Sequence, residues 1–152
     1  MTRLLGNIGV RFGLIGIFVV GGFLFRDWLP GGADALRVGD CFEEPTGVEV
    51  VDDVQHHPCG ENHDSEVIFV GEHPAANGAA PLSDAGYREW IGANCLPAFT
   101  AYTGVDLMAQ EVLDVGYFVP TSDSWGDGDR TVICYVVRVD GAQMTQSVRT
   151  AN

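Results

Sequence analysis

The sequence contains no lysine, and apart from four histidines its only basic side chains are eight arginines in 152 residues. Three of them, Arg3, Arg11 and Arg26, lie in the first 26 residues, whereas all 21 acidic residues lie from Asp27 onward. Residues 36–152 carry 19 acidic residues against five arginines, a formal charge of −14. Nucleic-acid affinity depends on Lys and Arg side chains that neutralise phosphates. The composition therefore excludes a nucleic-acid partner.

The sequence also lacks the motifs of the common enzyme classes, because it has no phosphate-binding glycine loop, no nucleophile elbow and no HExxH. Residues 63–66 place a histidine, an aspartate, a serine and a glutamate side by side. Adjacent side chains on an extended strand point to alternate faces, so this run does not predict a catalytic triad. The aspartates in residues 123–130 depart from the calcium-binding loop pattern. We therefore predict a protein that is not an enzyme, with no catalytic residue and no cofactor.

The longest apolar stretch lies at the N-terminus. Between Arg11 and Arg26 run fourteen residues without a charge, FGLIGIFVVGGFLF, and the apolar pattern extends from Leu4 to Trp28. A helix of about 20 apolar residues can cross a bilayer. The early arginines favour a cytoplasmic N-terminus. Residues 1–30 are thus predicted to form a single transmembrane signal-anchor helix, with the lipid bilayer as its first partner.

This segment sets the predicted domain boundaries. Residues 31–35 form a short linker, and residues 36–152 form one extracytoplasmic domain, on the periplasmic side of a single-pass plasma-membrane protein. The alternative is a cleaved signal peptide, for which residues 33–35 (Ala-Asp-Ala) offer a site. Ten residues, 26–35, would then lie between the end of the apolar run and the cleavage point, among them Arg26 and Asp27. Such a long, charged region favours retention of the helix.

Four glycines in this segment follow the spacing of one helical face. Successive separations are three, four and three residues in the stripe formed by Gly6, Gly9, Gly13 and Gly16. A stripe of small residues lets a second helix approach closely within the membrane. It predicts a packing face and, with it, other integral membrane or envelope proteins as partners.

The cysteines indicate disulfides. An even number in a short exported domain favours two bridges among Cys41, Cys59, Cys95 and Cys134. Three pairings exist, and the sequence spacing does not decide among them. We favour Cys41–Cys59, which brackets a predicted hairpin, together with Cys95–Cys134, which would tie a helix to a late strand.

A metal site is the competing use of one of these thiols. His56, His57, Cys59 and His63 are close in sequence and carry donor atoms suited to zinc or copper. Their spacing matches no standard CxxC or HxxxH pair, and an oxidising compartment would engage Cys59 in a disulfide first. The prediction is therefore no metal, with an extracytoplasmic metal-binding or metal-delivery domain as the alternative function.

Hydrophobic patterning predicts an α+β domain of order β-β-α-β-β-β, in which one main helix packs on a face of a largely antiparallel sheet. Ser83 is expected to cap the helix, which runs to Gly104 with a kink or restart at Pro97. The strands are expected at residues 47–54, 66–72, 111–119, 131–140 and 144–148.

One tryptophan lies in an acidic, glycine-rich loop. Trp125 would be a binding anchor if it were exposed, and a lid on the core if it folded back. Together with His63, Asp64 and Glu66 it forms the predicted binding surface.

Two sets of residues resemble the actinobacterial septum formation domain. The first set is Val38-Gly39-Asp40-Cys41-Phe42, then Pro58-Cys59 with Glu61, His63, Asp64, Glu66 and Val67. The second set is Cys95 with Phe99 and Gly104, then Pro120, Trp125, Gly128-Asp129-Arg130 and Cys134. The resemblance covers roughly residues 36–148 and implies a small exported domain of an actinobacterial cell envelope, tethered by a lipid or a transmembrane segment. This chain has no lipobox cysteine, and the resemblance supplies no catalytic residue.

These features together predict a non-enzymatic, membrane-anchored extracytoplasmic module that binds or scaffolds other envelope proteins. We expect an accessory subunit of a membrane or cell-envelope complex, and the resemblance implies a division-related role.

Overall fold

The structure of the chain, a computed structural model, describes residues 30–48 and 50–151. Its strands are β1 (Pro30–Gly32), β2 (Cys41–Glu43), β3 (Asp53–His57), β4 (Ser65–Glu72), β5 (Leu113–Phe118) and β6 (Thr131–Arg138). Its α-helices are α1 (Asp84–Thr103) and α2 (Ser122–Gly126). The strands form one sheet in the order β1-β3-β2-β4-β6-β5, with antiparallel pairing throughout. The predicted α+β class, with one main helix and an antiparallel sheet, is confirmed.

Strand β6 has buried side chains on both of its faces. Its sequence, TVICYVVR, is a nearly unbroken run of β-branched and aromatic residues, which is typical of a strand covered on two sides. Val132, Cys134 and Val136 belong to one hydrophobic core, whereas Ile133 and Tyr135 belong to a second. The sheet therefore separates two cores, and each core needs its own cover.

Helix α1 covers the first core. Ser83 caps it as predicted, since its Oγ accepts a hydrogen bond from the Gly86 N–H at 3.2 Å. Gly104 ends it in the left-handed conformation (φ 72°), where its N–H donates to the Thr100 carbonyl. Pro97 lies inside the helix, which continues as one element. The buried side chains of the helix are Tyr87, Ile91, Cys95, Phe99, Tyr102 and Thr103.

The second core is covered by strands and by the N-terminal segment. Ala33 and Leu36 pack there with Val54 of β3, against Phe42 and Tyr135. Each of these five side chains is at least nine-tenths buried. The cover is therefore made from short, irregular pieces of chain, in contrast to the single long helix on the other face.

Three aromatic rings form the centre of the second core. The Tyr135 ring centroid lies 5.2 Å from that of Phe42 and 4.9 Å from that of Phe118. Gly116 is the partner of Tyr135 in the β5–β6 ladder, and a Cβ at Gly116 would lie only 2.3 Å from the Tyr135 ring. The glycine is thus required for the ring to lie across β5.

The N-terminal boundary of the domain differs from the expectation. Residues 30–32 pair with β3 as an edge strand, and residues 33–35 form a 3-10 turn in which Ala33 is buried. The segment expected to be a linker therefore belongs to the folded body, because it covers part of the second core.

Two predicted strands also differ. In the valine-rich run 47–54 the strand begins only at Asp53, and Val48 and Val50 are more than half exposed. Residues 144–148 form no strand, and Met144 makes a single bridge to the loop before β4. A β-branched residue favours a strand only where the backbone also finds a partner strand. Val48 and Val50 have none and are exposed, whereas Met144 and Val148 are packed on the domain without strand pairing beyond the one bridge.

The predicted membrane helix lies outside the described residues, and so does its glycine stripe (Gly6, Gly9, Gly13 and Gly16). Within residues 30–48 and 50–151, neither α-helix combines the length and the apolar character that crossing a membrane requires.

Two disulfides are present, in the pairing that we favour. Cys41–Cys59 joins β2 to the turn after β3, and Cys95–Cys134 joins α1 to β6 across the first core. The second bridge spans 39 residues of sequence, and both of its cysteines are fully buried. In the loop-entropy model a bridge of this span stabilises the fold by about 4 kcal/mol.

We expect Cys95→Ala and Cys134→Ala each to lower the melting temperature by about 15 °C, with the double variant little worse than either single variant. Removing one sulfur already breaks the shared bond, so the two losses should not add. Thermal melts followed by circular dichroism measure all three variants. Simple additivity of the two losses would contradict a shared bridge.

Candidate functional site

Three of the four residues predicted to form a binding surface are buried. His63, Glu66 and Trp125 are 0%, 1% and 1% exposed, and Asp64 is half-buried. The structure corrects this prediction, because these side chains are enclosed by segments that are distant in sequence. The polar groups of these three side chains therefore contact other parts of the domain and not solvent.

The Glu66 carboxylate is the centre of a buried hydrogen-bond cluster. Its Oε1 accepts from the hydroxyls of Tyr102 and Ser147, both at 2.6 Å, and its Oε2 accepts from the Val148 N–H at 2.7 Å. Hydrogen bonds to a charged group are among the stronger ones, so three donors offset much of the cost of burying the carboxylate. The cluster joins β4, α1 and the C-terminal residues.

The C-terminal segment, residues 144–150, is held at both of its ends. Met144 and His63 exchange backbone hydrogen bonds of 2.8 and 3.0 Å. At the other end the Thr150 N–H donates to the Tyr102 carbonyl at 2.9 Å, and the Arg149 guanidinium lies 5.2 Å from the centroid of the Tyr102 ring. The Glu66 cluster thus secures an irregular segment that would otherwise have few backbone partners.

His63 and Ser65 present two further buried polar groups next to Glu66. His63 Nδ1 lies 2.7 Å from the Glu61 carbonyl, which assigns its proton to Nδ1. Within the described residues, His63 Nε2 and Ser65 Oγ make no hydrogen bond, either to each other or to a third group. A histidine-activated serine is therefore not formed in this run.

Trp125 folds back onto the core. The Arg130 guanidinium lies 3.9 Å from the Trp125 ring centroid, and the indole N–H donates to the Ala79 carbonyl at 2.8 Å. Arg130 also donates to four backbone carbonyls, those of Ala75, Ala76, Trp125 and Asp129. This pair therefore anchors the loop that follows β4.

The candidate metal ligands His56, His57, Cys59 and His63 do not form a ligand set. Among the described residues, one group of three His, Cys, Asp or Glu side chains has its ligand atoms within 4.8 Å of one another, namely Cys41, Cys59 and Glu66. Its two sulfurs are joined in a disulfide, and the ligand of a metal is the thiolate. His57 instead faces Glu43, with 3.8 Å between Nε2 and Oε2.

A groove of about 340 Å³ opens on the side of the second core. Phe118 and Ile133 of that core line it, together with the exposed Val50. The carboxylates of Asp34 and Asp52 also belong to its lining, and no arginine does. The groove can therefore accept an apolar group next to a positive charge.

No pattern in the sequence predicts this groove. Its lining comes from four separate segments, residues 33–34, 50–52, 118–124 and 129–133. No local motif connects them, since the curl of the sheet brings them together. The valine-rich run 47–54 is the one sequence feature that contributes to the lining, and its pattern predicts a strand and not the wall of a groove.

A family model described as septum formation matches residues 38–152 of the chain. The matched range includes both disulfides, the Glu66 cluster and every strand except β1. No curated protein and no solved structure matches the chain.

Two tyrosines have carboxylate partners and raised pKa values. Burial, followed by the hydrogen bond to Glu66, raises the pKa of Tyr102 well above its usual 10. Burial and the nearby Glu44 raise the pKa of Tyr135 in the same direction, and the Tyr135 hydroxyl donates to Glu44 Oε1 at 3.2 Å. Both hydroxyls therefore hold their protons in the folded state at pH values where a free tyrosine ionises.

We expect Tyr102→Phe and Ser147→Ala each to cost about 1–3 kcal/mol, because each removes a donor from the buried Glu66 carboxylate. Ser147 is itself an exposed residue, so Ser122→Ala, at another exposed serine, is the matched control and should change stability by less than about 0.5 kcal/mol. Urea unfolding gives the free energies. Amide hydrogen exchange at Val148 and Thr150 should accelerate in Ser147→Ala, and unchanged exchange there would contradict the cluster's role.

We expect the domain to lose stability as the pH rises above about 10. The unfolded tyrosines then release protons that folded Tyr102 and Tyr135 keep, so the free energy of unfolding falls by at most about 1.4 kcal/mol per pH unit for each tyrosine. Urea midpoints between pH 8 and 11 measure the slope, which Tyr135→Phe should reduce. Ionisation of all four tyrosines near pH 10 in a still-folded protein, seen as absorbance at about 295 nm, would contradict this.

Proposed function

This chain belongs to the septum formation family, and we propose that it is a non-enzymatic protein-binding module of the cell envelope with a role in division. In this proposal the N-terminal helix anchors the chain in the plasma membrane of an actinobacterium. The acidic domain then lies outside and serves as an accessory subunit of an envelope complex.

One observation carries the proposal. Glu66 and Arg130 are engaged in holding the domain together, since Glu66 accepts three hydrogen bonds and Arg130 donates to four carbonyls, and the unbonded His63 and Ser65 side chains are fully buried. All four cysteines are in disulfides. Groups committed in this way are not free to bind or activate a substrate. The solvent-exposed surface of the domain is acidic and contains a groove, which supports a role in binding.

The extracytoplasmic location is supported by the same disulfides, since such bonds persist in oxidising compartments. The distribution of charge also supports it, because Arg3 and Arg11 lie within the first 11 residues of the predicted helix and all acidic residues lie from Asp27 onward. An acidic domain attracts partners with basic surfaces and accelerates their association.

The proposal is tested in the native host with the full chain, fused at its C-terminus to a fluorescent protein that folds outside the cytoplasm. We expect fluorescence to be enriched at forming septa. In mild detergent the chain should co-purify with the same envelope proteins in repeated preparations, identified by mass spectrometry. Uniform staining of the envelope would remove the septal role, and a monodisperse monomer would remove the role as a subunit.

A control chain separates the domain from its anchor. Residues 36–152 are replaced by an unrelated exported domain of similar size, so that the predicted membrane helix remains. If the domain binds the partners, both septal enrichment and co-purification should be lost in this control. Their full retention would assign the interaction to the N-terminal segment.

A further inference from the structure

The groove on the second-core side lies between the two ends of the sheet. Residues 33–34 follow β1 and residues 50–52 precede β3, whereas residues 118–121 continue from β5. Strands β1 and β5 are the first and last in the strand order. The sheet must therefore curl until residues near its opposite edges line one groove.

The lining combines apolar and acidic groups. Phe118 and Ile133 of the second core continue into the half-buried Val51 and the exposed Val50. A volume of about 340 Å³ lies at the small end of the usual range for ligand sites, roughly 300–1,000 Å³. The groove therefore has room for a few apolar side chains and is small for a large cofactor.

Three aspartates, Asp34, Asp52 and Asp129, line the groove. Asp34 and Asp52 are exposed and form no ion pair with any residue that the structure describes. Asp129 uses its Oδ1 to accept from the Thr131 N–H at 2.9 Å. Two arginines are near these aspartates in sequence: Arg130 is buried against the Trp125 ring, and the exposed Arg37 does not line the groove. The charge at the rim is therefore available to a cationic ligand.

The shape of the lining favours a peptide chain. Residues 118–121 and 50–52 are two runs of consecutive residues in the lining, which suits a ligand that is itself an extended chain. Strand β5 is an edge strand, since it pairs only with β6 among the described strands. On its outer side the N–H groups of Leu113 and Val115 are already bonded to the side chains of Gln110 and Asp114, so an added strand would pair with the part of this edge next to the groove, from Tyr117 onward. Exposed strand edges commonly bind extended peptides through backbone hydrogen bonds, with side-chain pockets that add specificity.

We propose that this groove binds an extended segment of a partner protein in which a few apolar side chains are flanked by Arg or Lys. The apolar side chains contact Phe118, Ile133 and the two valines, and the flanking cations lie at Asp34 and Asp52. This inference deepens the proposed function and rests on it in one respect, since it takes the occupant of the groove to be a partner protein.

The test uses the full chain in a zwitterionic detergent and a fluorescent, end-blocked peptide of sequence RRVLVRR, with binding followed by anisotropy. Binding should be saturable and should weaken at high salt. Peptides EEVLVEE and RRGSGRR, which lack the cations and the apolar centre respectively, should each bind at least about tenfold more weakly, equivalent to about 1.4 kcal/mol.

Two variants of equal charge locate the site. Asp34→Asn with Asp52→Asn should weaken RRVLVRR binding at least about fivefold, since surface charge pairs contribute up to about 1 kcal/mol each. Glu89→Gln with Glu111→Gln changes two exposed acids outside the groove by the same total charge and should change binding less than about twofold. If both double variants weakened peptide binding equally, the binding would be a non-specific attraction to the acidic domain, and the proposal would be overturned.

A photo-crosslinking amino acid at Val51 identifies the occupant. We expect a saturable crosslink to RRVLVRR that is lost in the Asp34→Asn, Asp52→Asn background. A crosslink to residues 1–29 of the same chain would show that the N-terminal segment fills the groove and would overturn the proposal. Failed peptide binding with intact septal enrichment rejects the groove alone, whereas uniform staining with intact peptide binding rejects the septal role alone.

Discussion

Strand β6 must be covered on both faces, and the rest of the domain depends on this constraint. Its alternating side chains enter two cores, yet the described chain contains one long helix. Helix α1 covers the first face and is bonded to it through Cys95–Cys134. The second face is left to the sheet itself, which curls so that Ala33, Leu36 and Val54 reach Tyr135. This cover is incomplete where the two ends of the strand order approach each other, and the groove is the remaining gap.

Irregular segments connect these elements, and buried polar side chains hold them. A backbone outside helices and strands forms few hydrogen bonds with itself, so many of its N–H and C=O groups need other partners. Glu66 supplies an acceptor for residues 144–150, and Arg130 supplies donors to the loop that follows β4. Gln110 also bonds backbone groups with its side chain: its Nε2 donates to the Leu113 carbonyl, and its Oε1 accepts from the Leu113 N–H. Polar residues that resemble functional residues, such as Glu66 and Arg130, are thus buried because they bond the backbone of the irregular segments.

The predictable part of this fold is the part with local signals. The apolar runs of β4 and β6 and the cap at Ser83 identify their elements because the deciding contacts lie within a few residues. The partners of Glu66, in contrast, lie 36 and 81 residues away, so nothing nearby distinguishes a buried clamp from an exposed carboxylate. Val50 shows the converse case, since its β-branched neighbourhood favours a strand although the sheet places no partner beside it. Tertiary contacts decide such positions.

In the proposed topology, the acidic groove lies next to the predicted membrane anchor. Ala33 and Asp34 line it, so it lies a few residues from the point where the predicted anchor ends. A partner held there would be bound close to the membrane surface. The positive-inside bias makes basic segments scarce on the outer side of a membrane, so a groove that requires flanking cations admits few of the neighbouring segments. The domain's charge of −14 over residues 36–152 also repels anionic lipid headgroups from the same rim. In the proposed topology, the acidity of the domain would therefore favour a cationic protein segment over the bilayer as the occupant of the groove.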